Sequence, residues 1–212
     1  TNRVFILTLL IDDSSSMEDM VEAVQTAYRK LVAEQKKAAG GEGACEVLLS
    51  VMFLNGGLVL PYTRIAEVEE DLRDYRPNNG TPLRQRGKEV LGMVMTKVAE
   101  MAEAGRTVQT YTCFISDGQP NPEDVRAVPA GDLSEVIGGM TTTKQHIVCA
   151  VDIGGTSAEE FRQWGINPKW ILDPAKDPFG FEQAMAMVSR ASRAASRGAG
   201  DFAKAATGGG FR

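Results

Sequence analysis

The sequence has few of the residues that most transition-metal and nucleophilic sites require. Its 212 residues include one histidine and three cysteines. Cys45, Cys113 and Cys149 each lie in an apolar, strand-like segment and lack metal-ligand spacing, so we expect them to be small core residues. Such cysteines in an odd number predict reduced thiols and a cytoplasmic protein. His146 has no nucleophile elbow or cysteine partner near it, which argues against a hydrolase triad and favours a structural role.

Long apolar runs and an excess of positive charge are also absent. The longest apolar run, residues 4–11, is far shorter than the roughly 18 residues of a membrane-spanning helix. Lysine and arginine number 23 against 28 acidic residues, a net charge of −5, whereas nucleic-acid binders usually carry a basic patch. The first residues show neither the basic region nor the cleavage site of a signal peptide. We therefore expect no membrane and no nucleic acid among the partners.

Short apolar runs alternate with segments of helical periodicity, and the alternation predicts the fold class. Asn55-Gly56-Gly57 is a hairpin turn, which makes the strands on either side of it antiparallel. The rest of the pattern predicts an α/β protein: a three-layer Rossmann-like sandwich with a mostly parallel sheet, one antiparallel edge strand and helices on both faces. Strands are predicted at 4–11, 46–54, 58–62, 107–116, 146–151 and 169–172, and helices at 18–37, 81–104, 133–140, 157–164 and 179–197. One domain is expected over residues 1–197, followed by a flexible Gly/Ala-rich tail at 198–212.

The segment after the first strand carries the most specific chemical signal. Asp12 ends a buried apolar run, and Ser14 and Ser16 follow it on alternate positions. This Asp-x-Ser-x-Ser pattern brings one carboxylate and two hydroxyls toward one point. A hard cation such as Mg²⁺ prefers small oxygen ligands of this kind.

Two later segments bring further oxygen atoms to the same edge of the predicted sheet. Thr81 lies at the start of a predicted helix, and Asp117 ends the strand predicted at 107–116. In open α/β sheets the ligand site lies at the carboxyl ends of the strands. The sequence therefore predicts a metal site built from five residues: Asp12, Ser14, Ser16, Thr81 and Asp117.

These residues resemble a known family motif. The chain looks like the von Willebrand factor A domain family over residues 4–197, and the five residues match its metal-ion-dependent adhesion site. The resemblance implies that the two serines and the threonine touch the metal and that the aspartates act through water. It also implies that an Asp or Glu of another protein takes the last coordination place. The expected cofactor is Mg²⁺, with Mn²⁺ or Ca²⁺ as alternatives, in a chain that is monomeric on its own.

Within this family the chain is most similar to small bacterial domains of the tellurium-resistance and stress-response type. The similarity lies in the compact layout and in the sequence Asp117-Gly118-Gln119-Pro120, and it implies an adaptor in a signalling assembly. Two positions differ from the common pattern, because Ser15 and Asn79 stand where many members have glycine. Asn tolerates a left-handed backbone, so the second change is mild. The neighbouring Asp13 is expected to point into solvent.

Each residue also has a simpler interpretation. Ser14 and Thr81 taken singly are typical helix N-caps, and Asp117-Gly118 and Asp152-Ile153-Gly154-Gly155 are typical of turns. Arg190, Arg193 and Arg197 form a stripe that we expect to be solvated.

Two other functions compete with the non-enzymatic binding module. One is a metal-dependent phosphohydrolase that uses Asp12, although the second Asp of the haloacid-dehalogenase motif is replaced here by Ser14. The other is a scaffold with a vestigial metal site.

Overall fold

The computed structural model describes residues 2–40 and 45–197, and six strands form one sheet across them. The order is β3-β2-β1-β4-β5-β6, and only β3 runs antiparallel to its neighbour. The predicted mostly parallel sheet with one antiparallel edge strand is thus confirmed. The strands are β1 (Arg3–Ile11), β2 (Glu46–Phe53), β3 (Gly57–Arg64), β4 (Thr107–Ser116), β5 (His146–Asp152) and β6 (Ile171–Leu172).

Helices cover both faces of this sheet. The chain moves one way from β1 to β2 and the other way from β4 to β5, so right-handed crossovers between these parallel strands place α1 (Val21–Ala39) and α4 (Ala130–Thr142) on opposite faces. Helix α6 packs against α1, whereas α2 contacts α3 and α4. Every residue of β1 after Arg3 is buried, as expected for a central strand covered on both faces. The helices are α1 (Val21–Ala39), α2 (Leu83–Glu103), α3 (Pro122–Ala127), α4 (Ala130–Thr142), α5 (Ala158–Gln163) and α6 (Pro178–Arg197).

The register of the parallel strands brings their carboxyl ends to one edge. Ile11 of β1 lies opposite Phe53 of β2 and Ile115 of β4. Ser116 of β4 in turn lies opposite Asp152 of β5. The residues that follow β1 and β4 therefore emerge side by side, which is the arrangement that the predicted metal site requires.

Three segments have a local structure that differs from the predicted one. The helix predicted at 18–37 begins as a 3₁₀ turn, Ser15–Met20, before α1. The Pro-rich loop after β4 contains α3, which begins at Pro122, a position where the missing N–H of proline costs nothing. The strand predicted at 169–172 is shortened to Ile171–Leu172 by the 3₁₀ turn Pro168–Trp170. The predicted tail at 198–212 lies outside the described residues.

Polar side chains join α6 to α1, and they include one member of the predicted arginine stripe, whereas Arg190 and Arg197 are exposed as expected. Arg193 lies 3.3 Å from Glu34 of α1. Gln35 of α1 donates from Nε2 to the hydroxyl of Ser192 over 2.7 Å. Arg193 is therefore part of the contact between the two helices.

Among the described residues no helix is long and apolar enough to cross a membrane.

The cysteines and the histidine lie in the core. The three thiols are free and buried, and Cys113 of β4 lies opposite Cys149 of β5. His146 opens β5, and its Nδ1 lies 2.9 Å from the hydroxyl of Thr110. The structural role expected for the histidine agrees with this contact.

Candidate metal centre

The turn after β1 gathers three of the five predicted ligands. Asp12 is fully buried, and its Oδ1 accepts a hydrogen bond of 2.7 Å from the backbone N–H of Ser14. Aspartate commonly holds a turn in this way. The hydroxyls of Ser14 and Ser16 lie 3.0 Å apart. The alternate spacing in the sequence therefore becomes a pair of hydroxyls beside a buried carboxylate.

The end of β4 adds the second carboxylate to this group. The hydroxyl of Ser16 donates to Asp117 Oδ1 over 2.7 Å. Ser116 donates from Oγ to Asp12 Oδ2 over 2.5 Å, and the backbone N–H of Asp12 donates to the carbonyl of Ile115 over 2.9 Å. The oxygen atoms of Asp12, Ser14, Ser16 and Asp117 thus form one connected cluster.

Thr81 lies on a separate loop that reaches the same cluster. Its backbone N–H donates to Asn121 Oδ1 over 3.1 Å, and its carbonyl accepts from the Asn121 N–H over 3.0 Å. A methyl group built on Gly118 would lie 3.8 Å from Thr81 Oγ1, so the threonine hydroxyl is close to the residue after Asp117. That hydroxyl makes no hydrogen bond to any residue the structure describes. It remains available to a ligand.

The side chains of Ser14 and Thr81 do not act as the helix N-caps that the simpler interpretation predicts. Ser14 precedes the 3₁₀ turn Ser15–Met20, but its side chain makes no capping hydrogen bond. The first N–H groups of α2 are bound by Asp124, which accepts from Arg84 and Gln85 over 2.6 and 2.9 Å. Thr81 is therefore not the cap of α2.

The cluster places two buried carboxylates, those of Asp12 and Asp117, beside each other. Burial raises the pKa of Asp12, hydrogen bonds from Ser116 and Ser14 lower it, and the charge of Asp117 raises it again. Burial also raises the pKa of Tyr75, helped by nearby carboxylates, and its hydroxyl donates to the Asp12 carbonyl over 2.7 Å. Buried carboxylates in such proximity favour a cation beside them.

Lys176 already supplies one positive charge to this cluster. Its Nζ lies 2.7 Å from Asp117 Oδ2, an oxygen that accepts no well-aligned hydrogen bond within the described segments. The distance identifies an ion pair whose donor geometry is poor. The Asp117 side chain is 0% exposed and that of Lys176 is 43% exposed. The ammonium group shows that the cluster accommodates a cation.

The donor atoms fit a hard divalent ion better than a soft one. Across residues 2–40 and 45–197 there is no group of three or more His, Cys, Asp or Glu side chains arranged to hold a metal. A metal at this edge would therefore depend on the serine and threonine hydroxyls together with the two aspartates. Oxygen ligands of this kind, completed by water, suit Mg²⁺.

The expectation that Asp13 points into solvent is wrong. This side chain is 2% exposed, and its Oδ1 accepts from the backbone N–H and the Nδ2 of Asn55 over 2.7 and 3.1 Å. Oδ2 accepts from the N–H of Gly56 over 3.0 Å. Asn55 Nδ2 also lies 3.0 Å from the carbonyl of Gly80. Asp13 therefore fixes the β2–β3 turn, which in turn holds the loop that carries Thr81.

Two loops at this edge of the sheet contain residues with a positive φ angle. Asn79 has a φ of 58°, the left-handed conformation that asparagine tolerates. The turn after β5 places Gly154 and Gly155 at φ values of 84° and 72°. The Asp152 carboxylate accepts from the N–H groups of Ser157 and Ala158 over 2.8 and 2.7 Å. Asp152 thus holds this turn and the start of α5, in agreement with the turn interpretation.

Sequence reasoning missed four residues that position the cluster: Ser116, Asn121, Tyr75 and Lys176. Ser116 could have been found, because it precedes Asp117 at the end of a strand predicted to share a sheet edge with Asp12. The contacts of the other three join segments that are distant in sequence, and no local pattern marks them.

Similar solved structures have the fold of von Willebrand factor A-type domains. The von Willebrand factor type A structure from Catenulispora acidiphila gives a TM-score of 0.58 at 15% identity, covering 91% of this chain and 43% of that one. The pilus adhesin SpaC from Lactobacillus rhamnosus GG gives 0.63 at 14% identity, with coverages of 90% and 30%. Proximal thread matrix protein 1 from the mussel byssus, in a structure with a zinc-occupied MIDAS motif, gives 0.54 at 14% identity, with coverages of 89% and 48%.

These likenesses show the fold of the chain. The chain spans less than half the length of these three structures. No family model matches the sequence, and no curated protein matches it.

Proposed function

We propose that this chain is a metal-dependent protein-binding module. In this proposal Asp12, Ser14, Ser16, Thr81 and Asp117 hold a divalent ion, with Mg²⁺ preferred over Mn²⁺ or Ca²⁺. An Asp or Glu of a partner protein completes the coordination of the ion.

The observation that carries the proposal is the continuous set of oxygen atoms at the edge of the sheet. Ser16 Oγ lies 3.0 Å from Ser14 Oγ and 2.7 Å from Asp117 Oδ1. The other oxygen of Asp117, Oδ2, lies beside the ammonium group of Lys176. A cation is therefore compatible with the charge and the size of this cluster.

The open side of the cluster suits a protein ligand. Ser16 and the loop at Asn79 are exposed, whereas Asp12 and Asp117 are buried beneath them. A bound divalent ion supplies a concentrated positive charge on an acidic chain. The buried residues beneath it orient the ion, so a carboxylate from outside approaches from the exposed side.

The same geometry argues against the phosphohydrolase alternative. Both oxygens of Asp12 accept hydrogen bonds, from Ser14 and Ser116, and the side chain is 0% exposed. A carboxylate held in this way is poorly placed to attack a phosphoester. We therefore propose a module without enzymatic activity, and hydrolysis of a generic phosphoester by the wild type but not by Asp12→Asn would overturn that view.

Metal titration of a single hydroxyl variant tests the proposed site. Ser14→Ala removes one proposed ligand, and the backbone N–H that binds Asp12 stays in place. We expect the wild type to bind Mg²⁺ and Mn²⁺ in isothermal titration calorimetry and the variant to lose most of that binding, with an unchanged circular dichroism spectrum. Ser15→Ala is the matched control, because Ser15 is exposed and its hydroxyl contacts only the Asn79 carbonyl. Equal binding by wild type and Ser14→Ala would contradict the assignment.

Capture of partners with and without chelator tests the binding role. A partner that uses the metal should be retained in Mg²⁺, released by EDTA and absent with Ser14→Ala as bait. Its binding should also fail when its own contacting Asp or Glu is changed to Asn or Gln. Retention in EDTA would favour the scaffold with a vestigial site.

The remaining features of the proposal concern cellular context. Three free, buried thiols support a reducing compartment, and we propose the cytoplasm. The sequence Asp117-Gly118-Gln119-Pro120 supports, by resemblance, an adaptor of the tellurium-resistance and stress-response type that is monomeric when alone. Thiol titration after rapid alkylation in cells would test the compartment.

A further inference from the structure

Lys176 forms an ion pair with Asp117, one of the proposed metal ligands. It lies between β6 and α6, and its Nζ is 2.7 Å from Asp117 Oδ2. The opposite oxygen of the same carboxylate accepts from Ser16, one of the proposed ligands. One carboxylate thus faces the lysine on one side and the proposed metal site on the other.

The position of Lys176 is fixed by its own segment. The carbonyl of Pro174 accepts from the N–H of Gly154 over 2.9 Å, and Asp177 Oδ1 accepts from the N–H of Gly180 over 2.8 Å. A methyl group built on Gly154 would lie 3.0 Å from Lys176 Cβ. The main chain on both sides of Lys176 is therefore anchored, which holds its ammonium group within reach of Asp117.

The two partners of this ion pair differ in their freedom to move. The Asp117 side chain is 0% exposed and is held by Ser16. The Lys176 side chain is 43% exposed, so its four-carbon stem can turn toward solvent with little loss of contact. A divalent ion beside Asp117 would lie within a few ångströms of the ammonium and repel it. The side chain of Lys176, and not that of Asp117, is therefore the one that moves when a divalent ion binds.

We infer that Lys176 is a tethered competitor of the metal: its ammonium group and a divalent ion exclude each other at Asp117. The inference rests on the proposed function and adds the regulation of that site. The ammonium compensates the Asp117 charge in the absence of metal, and the ion must displace it. Lys176 thereby sets the metal concentration at which the site fills and keeps weakly bound ions out.

The test compares Lys176→Met with the wild type by titration with Mn²⁺ and by thermal unfolding. Methionine keeps most of the stem and removes the charge. We expect the variant to bind Mn²⁺ more tightly by up to about fivefold, the factor that corresponds to loss of an ion pair with one exposed partner. In EDTA the variant should unfold at a lower temperature than the wild type, and saturating Mn²⁺ should remove most of that difference, because ligand binding and stability are linked.

Two further variants serve as controls. Lys176→Arg keeps the positive charge and should leave the affinity close to that of the wild type. Lys88→Met removes a lysine that also lies 2.7 Å from an aspartate, Asp132, and is similarly exposed, but on another surface. It should change neither the affinity for Mn²⁺ nor the effect of Mn²⁺ on unfolding.

The outcomes separate this inference from the proposed function. Equal or weaker binding by Lys176→Met, with metal still bound, overturns the competition alone and assigns Lys176 to the positioning of Asp117. Binding by Lys176→Met but not by the wild type supports the inference in its strongest form. Absence of binding in both proteins overturns the metal site and the competition together.

Discussion

At the scale of single residues, the candidate site depends on buried carboxylates that accept hydrogen bonds from several donors. Asp13 is the clearest case, because three N–H donors from Asn55 and Gly56 converge on it within 2.7 to 3.1 Å. Hydrogen bonds to a charged acceptor contribute more than neutral ones, and removal of the acceptor leaves buried donors without partners. Asp13 is thus a positioning residue that connects the end of β1 to the β2–β3 turn.

Replacement of Asp13 should therefore affect stability. We expect Asp13→Ala to lower the free energy of unfolding by about 2 to 4 kcal/mol, since several donors lose a charged acceptor. Urea denaturation followed by circular dichroism measures the change. The control is Asp19→Ala, at an exposed position of the same segment, which should stay within about 0.5 kcal/mol of the wild type. Similar free energies of unfolding for the two variants would show that Asp13 makes no stabilising contact.

At the scale of secondary structure elements, α2 connects the site to the core. Its N-terminus is capped by Asp124 of α3. Arg84 in its first turn forms a buried ion pair with Glu160 of α5, with distances of 2.5 and 2.9 Å. Glu160 also accepts from the indole N–H of Trp164 over 2.6 Å. The loop that carries Thr81 leads directly into α2, whose first turn is held by α3 and α5.

Two glycines of α2 offer a matched test of this packing. A methyl group on Gly87 would lie 2.8 Å from two ring atoms of Trp164, whereas one on Gly92 would meet nothing within 4 Å. We expect Gly87→Ala to lower the free energy of unfolding by about 1 to 3 kcal/mol through overpacking. Gly92→Ala should raise it by about 0.5 to 1 kcal/mol, because alanine is the better helix former. Chemical denaturation of both variants checks the signs, and a stabilised Gly87→Ala would contradict the contact between α2 and Trp164.

At the scale of the whole molecule, stability should depend on pH through the one histidine. Burial lowers the pKa of His146 below its usual value near 6.5. The unfolded chain therefore takes up this proton at a higher pH than the folded chain does. The contribution of the neutral imidazole is fully present above about pH 6.5 and is lost as the pH falls through the folded-state pKa, with a slope of at most about 1.4 kcal/mol per pH unit.

Comparison of His146→Gln with the wild type isolates this contribution. The free energy of unfolding should fall less steeply in the variant than in the wild type between pH 6.5 and 5. Urea denaturation at several pH values in this interval gives both slopes, and the carboxylates common to the two proteins cancel in the difference. Equal slopes would show that the imidazole titrates alike in the folded and unfolded chains.

The sequence by itself determined the order of the strands and of every described helix except α3, the mixed sheet and the family resemblance. Apolar runs and helical periodicity are local, so residues 107–116 were predicted to be the strand that the structure has at β4. The signal was equally local at residues 12–16, where Asp-x-Ser-x-Ser puts a carboxylate and two hydroxyls within one turn. Short elements were predicted less well, because proline and asparagine at their ends decided between a 3₁₀ turn and a strand.

Only the tertiary structure decided which charges meet. Asp13 lies next to the predicted ligands in sequence, yet its burial depends on Asn55 and Gly56 from another turn. Lys176 reaches Asp117 because the segment before α6 is anchored to the turn after β5. Such contacts join residues that are far apart in the chain, and the sequence between them carries no periodic trace of the pairing. The oxygen ligands could therefore be predicted from local spacing, whereas the charges that surround them required the folded chain.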